Sequence, residues 1–271
     1  MPLNSVGARA TRAIRQSLLT VALAADRLRV AQPLARRVGD ARRFWTEDEN
    51  SAWAQNSHWR AGLGDDAWLE VGREHRALYE RFAKALDRPV DPGVVIEWGC
   101  GGGANAVAFA PDAQRFIAAD VSATSLGECR RQVEAVCLTP VETVLIDIEH
   151  PERAIAGLEQ SCDLFLCLYV LELTAGPEEA MRIVRIAQRL LVAGGLAFIQ
   201  VKYHTSDPRT RGRKRNYRRN VATMATFEID EFWERAAECG LTPRLITLVP
   251  KNRLDSRYAY FALTKSADPA P

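Results

Sequence analysis

The sequence has no apolar run approaching the roughly 20 residues that a membrane-spanning helix needs. Cysteine is sparse, and the six cysteines show neither C-x-x-C spacing nor the density of a disulfide scaffold. Internal repeats and low-complexity tracts are absent as well. These absences exclude an integral membrane protein, a small disulfide-rich protein and a solenoid. We therefore expect a soluble, cytoplasmic protein with reduced thiols and no metal site.

The net charge of +2 conceals two basic segments in a chain of 271 residues. Residues 1–43 contain nine arginines and two aspartates, and residues 201–220 contain eight Lys or Arg residues and one aspartate. The remainder of the chain is acidic. Two local basic segments on an acidic body predict an anionic substrate, membrane surface or partner, rather than general nucleic-acid binding.

The first basic segment contains an apolar stripe at helical spacing. Its members are Ile14, Leu18, Val21, Ala25 and Leu28. A secretory signal is the alternative, because basic residues precede a short apolar stretch that ends in Ala22-Leu23-Ala24. Arginines on both sides of the stretch favour an amphipathic helix. Such a helix would pack on the body, form a homodimer or lie on anionic lipid.

Strand and helix patterns alternate from residue 93 onward, which predicts an α/β fold with a mainly parallel sheet covered on both faces. Strands are predicted at 93–98, 115–120, 142–147, 163–168, 195–202, 244–249 and 257–264. Helices are predicted at 103–110, 122–136, 151–160, 177–192 and 228–239, with Ser122 as an N-cap and Ala193-Gly194-Gly195 as a stop. The last two strands have no helix between them and would pair antiparallel.

Three parts are predicted along the chain. Residues 1–43 form a basic, partly helical arm. Residues 44–90 form a helical cap or lid that is rich in aromatic residues and contains four of the six tryptophans. Pro89, Pro92 and Gly93 then interrupt the chain, and residues 91–271 form the main domain.

The stretch VVIEWGCGGGANAVAFAP at 94–111 predicts a strand, a glycine turn and a helix. In an open parallel sheet, ligands bind beyond the carboxyl ends of the strands. Gly99, Gly101, Gly102 and Gly103 lie at that end, where a backbone without Cβ atoms would approach a ligand closely. The alternatives are a tight turn that binds nothing and a dinucleotide site, since GCGGGA also satisfies the loose G-x-G-x-x-A pattern.

Three acidic residues end consecutive predicted strands: Glu97, Asp120 and Asp147. Glu97 would repel a pyrophosphate but attract an ammonium group. Asp120 is placed to accept both hydroxyls of a ribose, and Asp147 would reach an exocyclic amine. Ammonium, ribose and amine together describe an adenosyl amino acid better than NAD.

These residues resemble the class I S-adenosylmethionine-dependent methyltransferases. VVIEWGCGGG resembles their first motif, CDLFLCLYVLEL at 162–173 their fourth, and LLVAGGLAFIQV the segment before their fifth strand. The resemblance implies a seven-stranded Rossmann-like sheet of order 3-2-1-4-5-7-6 with an antiparallel last strand, and S-adenosyl-L-methionine as cofactor. It implies cofactor contacts at Glu97, Gly99, Cys100, Gly101, Gly103, Asp120, Val121, Asp147, Ile148 and Leu168. Leu173 replaces a histidine that many small-molecule members have, which removes one candidate base.

Candidate catalytic residues are His204, just beyond the fifth strand, His58, carried by the cap, and Tyr169, which would face the acceptor. Similarity to small-molecule members also suggests an N-terminal lid. In that lid Trp59 would shield the sulfonium and Arg60 would pair with the carboxylate of the cofactor. Ordinary packing of an aromatic-rich cap is the alternative.

The loop after the fifth strand is long and basic. Arg213, Arg215, Arg218 and Arg219, with Tyr217, would bind an anionic group of the substrate. The alternatives for the basic loop at 209–219 are a solvated loop and an RNA contact, although no RNA-binding module is recognisable.

The sequence thus predicts a methyltransferase for a small or medium-sized acceptor, with oxygen as the methylated atom and an anionic or saccharide-like substrate. The alternatives are an RNA or protein methyltransferase that uses the basic loop, and a cofactor-binding regulatory protein without turnover.

Overall fold

Seven strands form one mixed sheet in the computed structural model, which describes residues 31–46, 64–252 and 254–266. They are β1 (Gly93–Trp98), β2 (Ala113–Asp120), β3 (Val141–Leu145), β4 (Cys162–Cys167), β5 (Leu191–Lys202), β6 (Leu241–Lys251) and β7 (Ser256–Lys265). Their order is β3-β2-β1-β4-β5-β7-β6, and β7 runs antiparallel to both of its neighbours. The predicted fold class, strand order and reversed last strand are confirmed.

Seven α-helices are found in the described residues. They are α1 (Leu34–Thr46), α2 (Asp65–Ala85), α3 (Ala106–Phe109), α4 (Ala123–Glu134), α5 (Pro177–Leu190), α6 (Tyr217–Asn220) and α7 (Ile229–Glu238). Ser122 caps α4 as predicted, because its hydroxyl accepts a hydrogen bond from the Ser125 N–H at 3.2 Å. No described helix has the length and apolar character needed to span a membrane.

Two local predictions were wrong. The helix predicted at 151–160 is only a 3-10 turn, Pro151–Ile155, and Gly157 follows it with a φ of +78° that a helix does not accept. The predicted stop at 193–195 lies inside β5, because Leu191 is already extended directly after α5.

Apolar layers cover both faces of the sheet. Neighbouring residues of a strand point to opposite faces, so that Val95 contributes to one layer and Ile96 to the other. Helices α5 and α7 cover the face of Ile96, whereas α2, α3 and α4 cover the face of Val95. Trp68 of α2 is fully buried there. Helix α2 is therefore a layer of the main fold, although the prediction placed it in a separate cap over 44–90.

Helix α1 packs on the short helix α6. Ala41 is buried against Tyr217 and Met224, and Phe44 and Trp45 pack around them. The boundary predicted between residues 43 and 44 falls inside α1. The amphipathic stripe predicted at 14–28 lies outside the described residues.

Candidate functional site

A cavity opens at the carboxyl ends of β1, β2 and β4. Its lining comes from the ends of these strands, the segment after β3, helix α5, and a roof of α1 and α6. The lining residues are Val38, Ala41, Trp45, Trp98, Gly99, Gly101, Asp120, Val121, Ser125, Ile146, Ile148, Pro151, Tyr169, Val170, Leu173, Thr174, Ala175, Glu179, Ile183 and Tyr217. This is the edge at which a parallel sheet binds its ligands.

The glycine turn forms the floor beside β1. Gly99 has a φ of +76°, and a Cβ atom there would lie 2.4 Å from Cγ2 of Val170. The Gly99 N–H donates to the Ala119 carbonyl at 2.7 Å, which ties the turn to β2. Only glycine satisfies both the backbone conformation and the contact. Gly99 and Gly101 therefore present bare backbone to the cavity.

Gly103 and Cys100 lie behind this surface. Gly103 has a φ of +91°, and a Cβ atom on it would lie 3.1 Å from Cα of Cys129 in α4, so that close helix packing explains this glycine. Cys100 is buried, and its thiol points to the Gly101 carbonyl at 3.6 Å. Both residues belong to the predicted motif, but neither is among the described residues that line the cavity.

Asp120 lies at the end of β2 and lines the cavity. One carboxylate oxygen accepts the Gly101 N–H and the other accepts the Ser122 N–H, both at 2.9 Å. Burial raises its pKa to about 6, and these backbone hydrogen bonds oppose that increase. A carboxylate offers about four acceptor positions, so positions remain on Asp120 for two hydroxyl donors. The residue therefore fits the predicted ribose contact.

Glu97 is buried near the end of β1, with 1% of its surface exposed. Its Oε1 accepts a hydrogen bond from Nδ2 of Asn105 at 2.8 Å. Its Oε2 is buried without a hydrogen-bond partner among the described residues. Burial raises the pKa of Glu97 to about 8. Glu97 is not among the described residues that line the cavity, but a buried carboxyl oxygen without a partner beside a glycine turn fits a cationic ligand group.

A groove continues from the cavity toward β3. Val121, Ile146 and Ile148 border both spaces, while Leu145 and Asp147 border the groove alone. Asp147 was predicted to be the last residue of its strand. Strand β3 ends at Leu145, so Asp147 lies two residues beyond the observed strand. The Asp147 carboxylate accepts the Glu149 N–H at 2.9 Å and is 3.9 Å from Arg153. The groove thus has apolar walls for a flat ring and a half-exposed acid at its edge.

Tyr169 follows β4 and lines the cavity in a left-handed conformation, with a φ of +58°. Its N–H donates to Oε1 of Gln200 at 2.6 Å, which holds this turn in place. Its hydroxyl is engaged by Tyr260 at 3.0 Å and by Nδ2 of Asn252 at 2.9 Å. Burial raises its pKa to about 12. This geometry does not favour Tyr169 as a catalytic base, and its contact with the acceptor stays a prediction. Leu168, its neighbour, is buried and does not line the cavity.

A model of the methyltransferase domain family matches residues 95–195, which contain the glycine turn, Asp120 and Tyr169. The fold and the cavity agree with that match. Residues 95–195 thus match the methyltransferase domain family, and the sheet order is that of the class I S-adenosylmethionine-dependent methyltransferase fold. Comparison with curated protein sequences found no significant match.

Solved methyltransferase structures share the fold of this chain. The 1,6-didemethyltoxoflavin-N1-methyltransferase of Burkholderia thailandensis is 19% identical, with a TM-score of 0.58 over 88% of this chain and 92% of that one. The magnesium protoporphyrin IX methyltransferase of Synechocystis PCC 6803 is 16% identical, with a TM-score of 0.54 over 73% and 86% of the two chains. The N-methyltransferase NodS of Bradyrhizobium japonicum WM9 is 17% identical, with a TM-score of 0.51 over 75% and 94%.

The roof of the cavity was not predicted from the sequence. Val38, Ala41 and Trp45 of α1 face the cavity. Nε1 of Trp45 donates to the Tyr217 hydroxyl at 2.7 Å, and that hydroxyl donates to the Leu173 carbonyl. The three α1 residues follow one another at steps of three and four, the helical spacing of a buried face. This spacing was the sequence signal from which the cavity-facing side of α1 could have been predicted.

His204 does not reach the cavity. Its Nδ1 lies 3.1 Å from the Thr226 hydroxyl and its Nε2 lies 3.5 Å from the Glu228 carboxylate. The reason is local, because the His204 N–H donates to the Phe227 carbonyl and keeps the chain beside the start of α7. His58, Trp59 and Arg60 lie outside the described residues.

The basic loop places its predicted anion-binding residues on different sides of α6. Tyr217, predicted to bind an anionic group together with the arginines, is 1% exposed and lines the cavity. Arg218 and Arg219 are exposed on the same helix, and Arg215 is half-buried just before it. The arginines therefore lie within one helical turn of a cavity wall.

Proposed function

We propose that this methyltransferase methylates an oxygen of a small or medium-sized acceptor that combines an apolar body with a carboxylate. The proposal is supported by the largely apolar composition of the cavity wall. Beyond the residues suited to the cofactor, much of the wall is apolar and comes from Val38, Ala41, Leu173, Ala175 and Ile183, while Thr174 and Glu179 are among its polar members. Such a wall favours an apolar acceptor over a saccharide.

The cofactor would lie along the ends of β1 to β4. Asp120 would accept the ribose hydroxyls, Val121 and Ile148 would enclose the adenine, and Glu97 would attract the ammonium group. Gly99 and Gly101 would allow close approach of the methionine part. When bound, S-adenosylmethionine supplies an electrophilic methyl group on a sulfonium. The chain then has to orient an acceptor and exclude water, for which an apolar cavity under a roof is suited.

The described lining bears on the ionisation state that an acceptor would need. It contains no histidine, and the Tyr169 hydroxyl is already engaged by Tyr260 and Asn252. A neutral hydroxyl requires a base, whereas a carboxylate is already ionised at neutral pH. This favours carboxylate methylation. The exposed Arg218 and Arg219, next to Tyr217 of the wall, would attract the same anionic group.

Cofactor binding is tested by calorimetry with S-adenosylhomocysteine. Binding in the micromolar range is expected, and Asp120→Ala should weaken it at least tenfold, because the ribose acceptor and the anchor of Gly101 are both lost. Asp163→Ala is the matched control: Asp163 also accepts a backbone N–H, that of Val94 at 2.8 Å, but at the start of β4. Equal weakening by the two variants would contradict the assignment of Asp120.

The acceptor class is tested with radiolabelled S-adenosylmethionine and panels of aromatic carboxylic acids, amines, phenols and sugars. Methyl esters are the expected products. The double variant Arg218→Ala and Arg219→Ala should raise KM for the acid about tenfold, corresponding to one lost charged hydrogen bond, and leave cofactor affinity unchanged.

Arg185→Ala with Arg244→Ala removes the same charge from exposed positions on α5 and β6 and serves as the control. Labelled amines or sugars without labelled acids would refute the carboxylate assignment. Binding of RNA that weakens steeply with salt and is lost in the α6 variant would favour the RNA alternative instead.

A further inference from the structure

A continuous path of hydrogen bonds, buried except for the last one, crosses the layer between the sheet and α2. It is called the polar path here. In order it contains Glu97, Asn105, His75, Tyr260, Tyr169 and Asn252. Its residues come from β1, the glycine turn, α2, β7, the segment after β4 and the segment after β6. Elements distant in sequence therefore meet at His75.

His75 is the centre of the polar path. Its Nδ1 lies 2.7 Å from Oδ1 of Asn105, and its Nε2 lies 3.2 Å from the Tyr260 hydroxyl. Its ring packs 5.3 Å from the Tyr169 ring and 5.5 Å from the Tyr260 ring, between centroids. Burial lowers its pKa to about 4, so the ring is neutral at physiological pH.

The direction of the first hydrogen bonds follows from Glu97. Oε1 of Glu97 accepts from Nδ2 of Asn105, so the Asn105 amide turns its oxygen toward His75. That oxygen accepts only, and Nδ1 of His75 must therefore carry the ring proton. Since the ring is neutral, Nε2 carries no proton and accepts one from Tyr260. This direction holds when Glu97 is ionised and also when its proton is on Oε2, the oxygen without a described partner, because Oε1 accepts in both forms.

The remaining hydrogen bonds follow in turn. The Tyr260 hydroxyl donates its hydrogen bond to Nε2 of His75. Its oxygen therefore accepts the hydrogen bond of the Tyr169 hydroxyl, at 3.0 Å. The Tyr169 oxygen in turn accepts from Nδ2 of Asn252 at 2.9 Å. Every hydroxyl of the polar path thus has one orientation. The Tyr169 proton points along the path, while Tyr169 itself lines the cavity.

We propose that His75 is a positioning residue that holds Glu97 and Tyr169 in one arrangement, so that breaking the polar path on the Tyr169 side weakens cofactor binding on the Glu97 side. This rests on the proposed cofactor site, because Glu97 is assigned there to the ammonium group. His75 does not line the cavity and acts only through its neighbours.

The first test observes His75 directly, without cofactor. The full chain is labelled with nitrogen-15 in histidine, and the signals of His75 among the four histidines are assigned with His75→Gln. The expected spectrum shows a protonated Nδ1 and a bare Nε2, unchanged between about pH 5.5 and 8. Asn105→Leu should move the proton to Nε2, because Nδ1 then lacks an acceptor. A protonated Nε2 in the unmodified chain would overturn the proposal.

The second test breaks the path beyond His75. Tyr260→Phe should leave Nε2 of His75 without its donor, which shifts the Nε2 signal while Nδ1 keeps its proton, and should weaken S-adenosylhomocysteine binding about fivefold, as for one buried hydrogen bond. Tyr258→Phe is the matched control, since Tyr258 is equally buried on the same strand and packs 4.9 Å from the Tyr169 ring, outside the polar path. It should change neither the His75 signals nor the affinity.

Where Tyr260→Phe does not fold, Tyr169→Phe makes the same break one step farther from His75. Equal affinities for the unmodified chain, Tyr260→Phe and Tyr258→Phe would overturn the proposal while leaving the cofactor site intact. No binding to the unmodified chain, with the predicted His75 tautomer present, would instead refute the proposed cofactor site.

Discussion

At the scale of single residues, Glu97 shows how the free protein differs from the protein with cofactor. An acid with a pKa of about 8 keeps its proton in the folded state at neutral pH, whereas the unfolded chain releases it near 4.5. Its contribution to stability is therefore greatest below pH 4.5 and declines as the pH rises toward about 8. A cationic ligand would reverse this preference by stabilising the charged form.

Cofactor binding should consequently release protons. At pH 7, binding of S-adenosylhomocysteine is expected to release close to one proton, because its ammonium group lowers the pKa of Glu97 from about 8. Calorimetry in buffers of different ionisation enthalpy measures this number. Glu97→Gln should bind without proton release. Undiminished release in that variant would assign the proton to another group, with Asp120 the next candidate.

At the scale of elements, α2 depends on close contact with the turn that precedes α3. A Cβ atom on Gly72 would lie 2.1 Å from the Ala104 carbonyl oxygen. The obstacle is backbone, so a side chain cannot rotate away to make room. This glycine therefore sets the distance between α2 and the segment that carries Asn105.

Gly72→Ala is expected to lower the free energy of unfolding by about 3 kcal/mol, since the added carbon overpacks the contact. Gly127→Ala, in the middle of α4 with nothing near its added carbon, should raise it by about 0.5 to 1 kcal/mol. Urea unfolding followed by circular dichroism measures both. A Gly72 variant as stable as the unmodified chain would show that α2 can shift without loss.

The sequence predicted elements with strong local patterns and missed those that depend on distant partners. The bounds of β1 were predicted from its own apolar run and the following glycines. The roof depends on the hydrogen bond between Trp45 and Tyr217, 172 residues apart, which no local pattern reveals. His204 was misplaced for the same reason, because Thr226 and Glu228 hold its ring. The predicted position of Asp147 at the end of its strand was wrong by two residues, since β3 ends earlier than its apolar pattern suggests.

At the scale of the whole molecule, the two basic segments meet in part. Helix α1 ends the first segment and packs on α6, which ends the second. Positive charge from both segments thus lies beside the roof of the cavity, and an anionic acceptor would be attracted toward it at low salt.

The thiols give a second prediction at this scale. All six cysteines are unpaired, four of them buried and two, Cys137 and Cys239, partly accessible. Ellman's reagent should therefore titrate two thiols rapidly in the native protein and six after denaturation. Fewer than six in the denatured, unreduced protein would show that disulfides form, contrary to the expectation from the sequence.

The placement of α2 against the sheet also bears on how fragments of this protein would behave. The family match begins at residue 95, but Trp68, Leu78, Tyr79 and Phe82 cover one sheet face from outside that region. A fragment starting at residue 91 would leave Phe116 and Phe198 uncovered, and such a surface drives aggregation. Fragments expressed for crystallisation should start no later than residue 64, and those meant to retain the roof no later than residue 34.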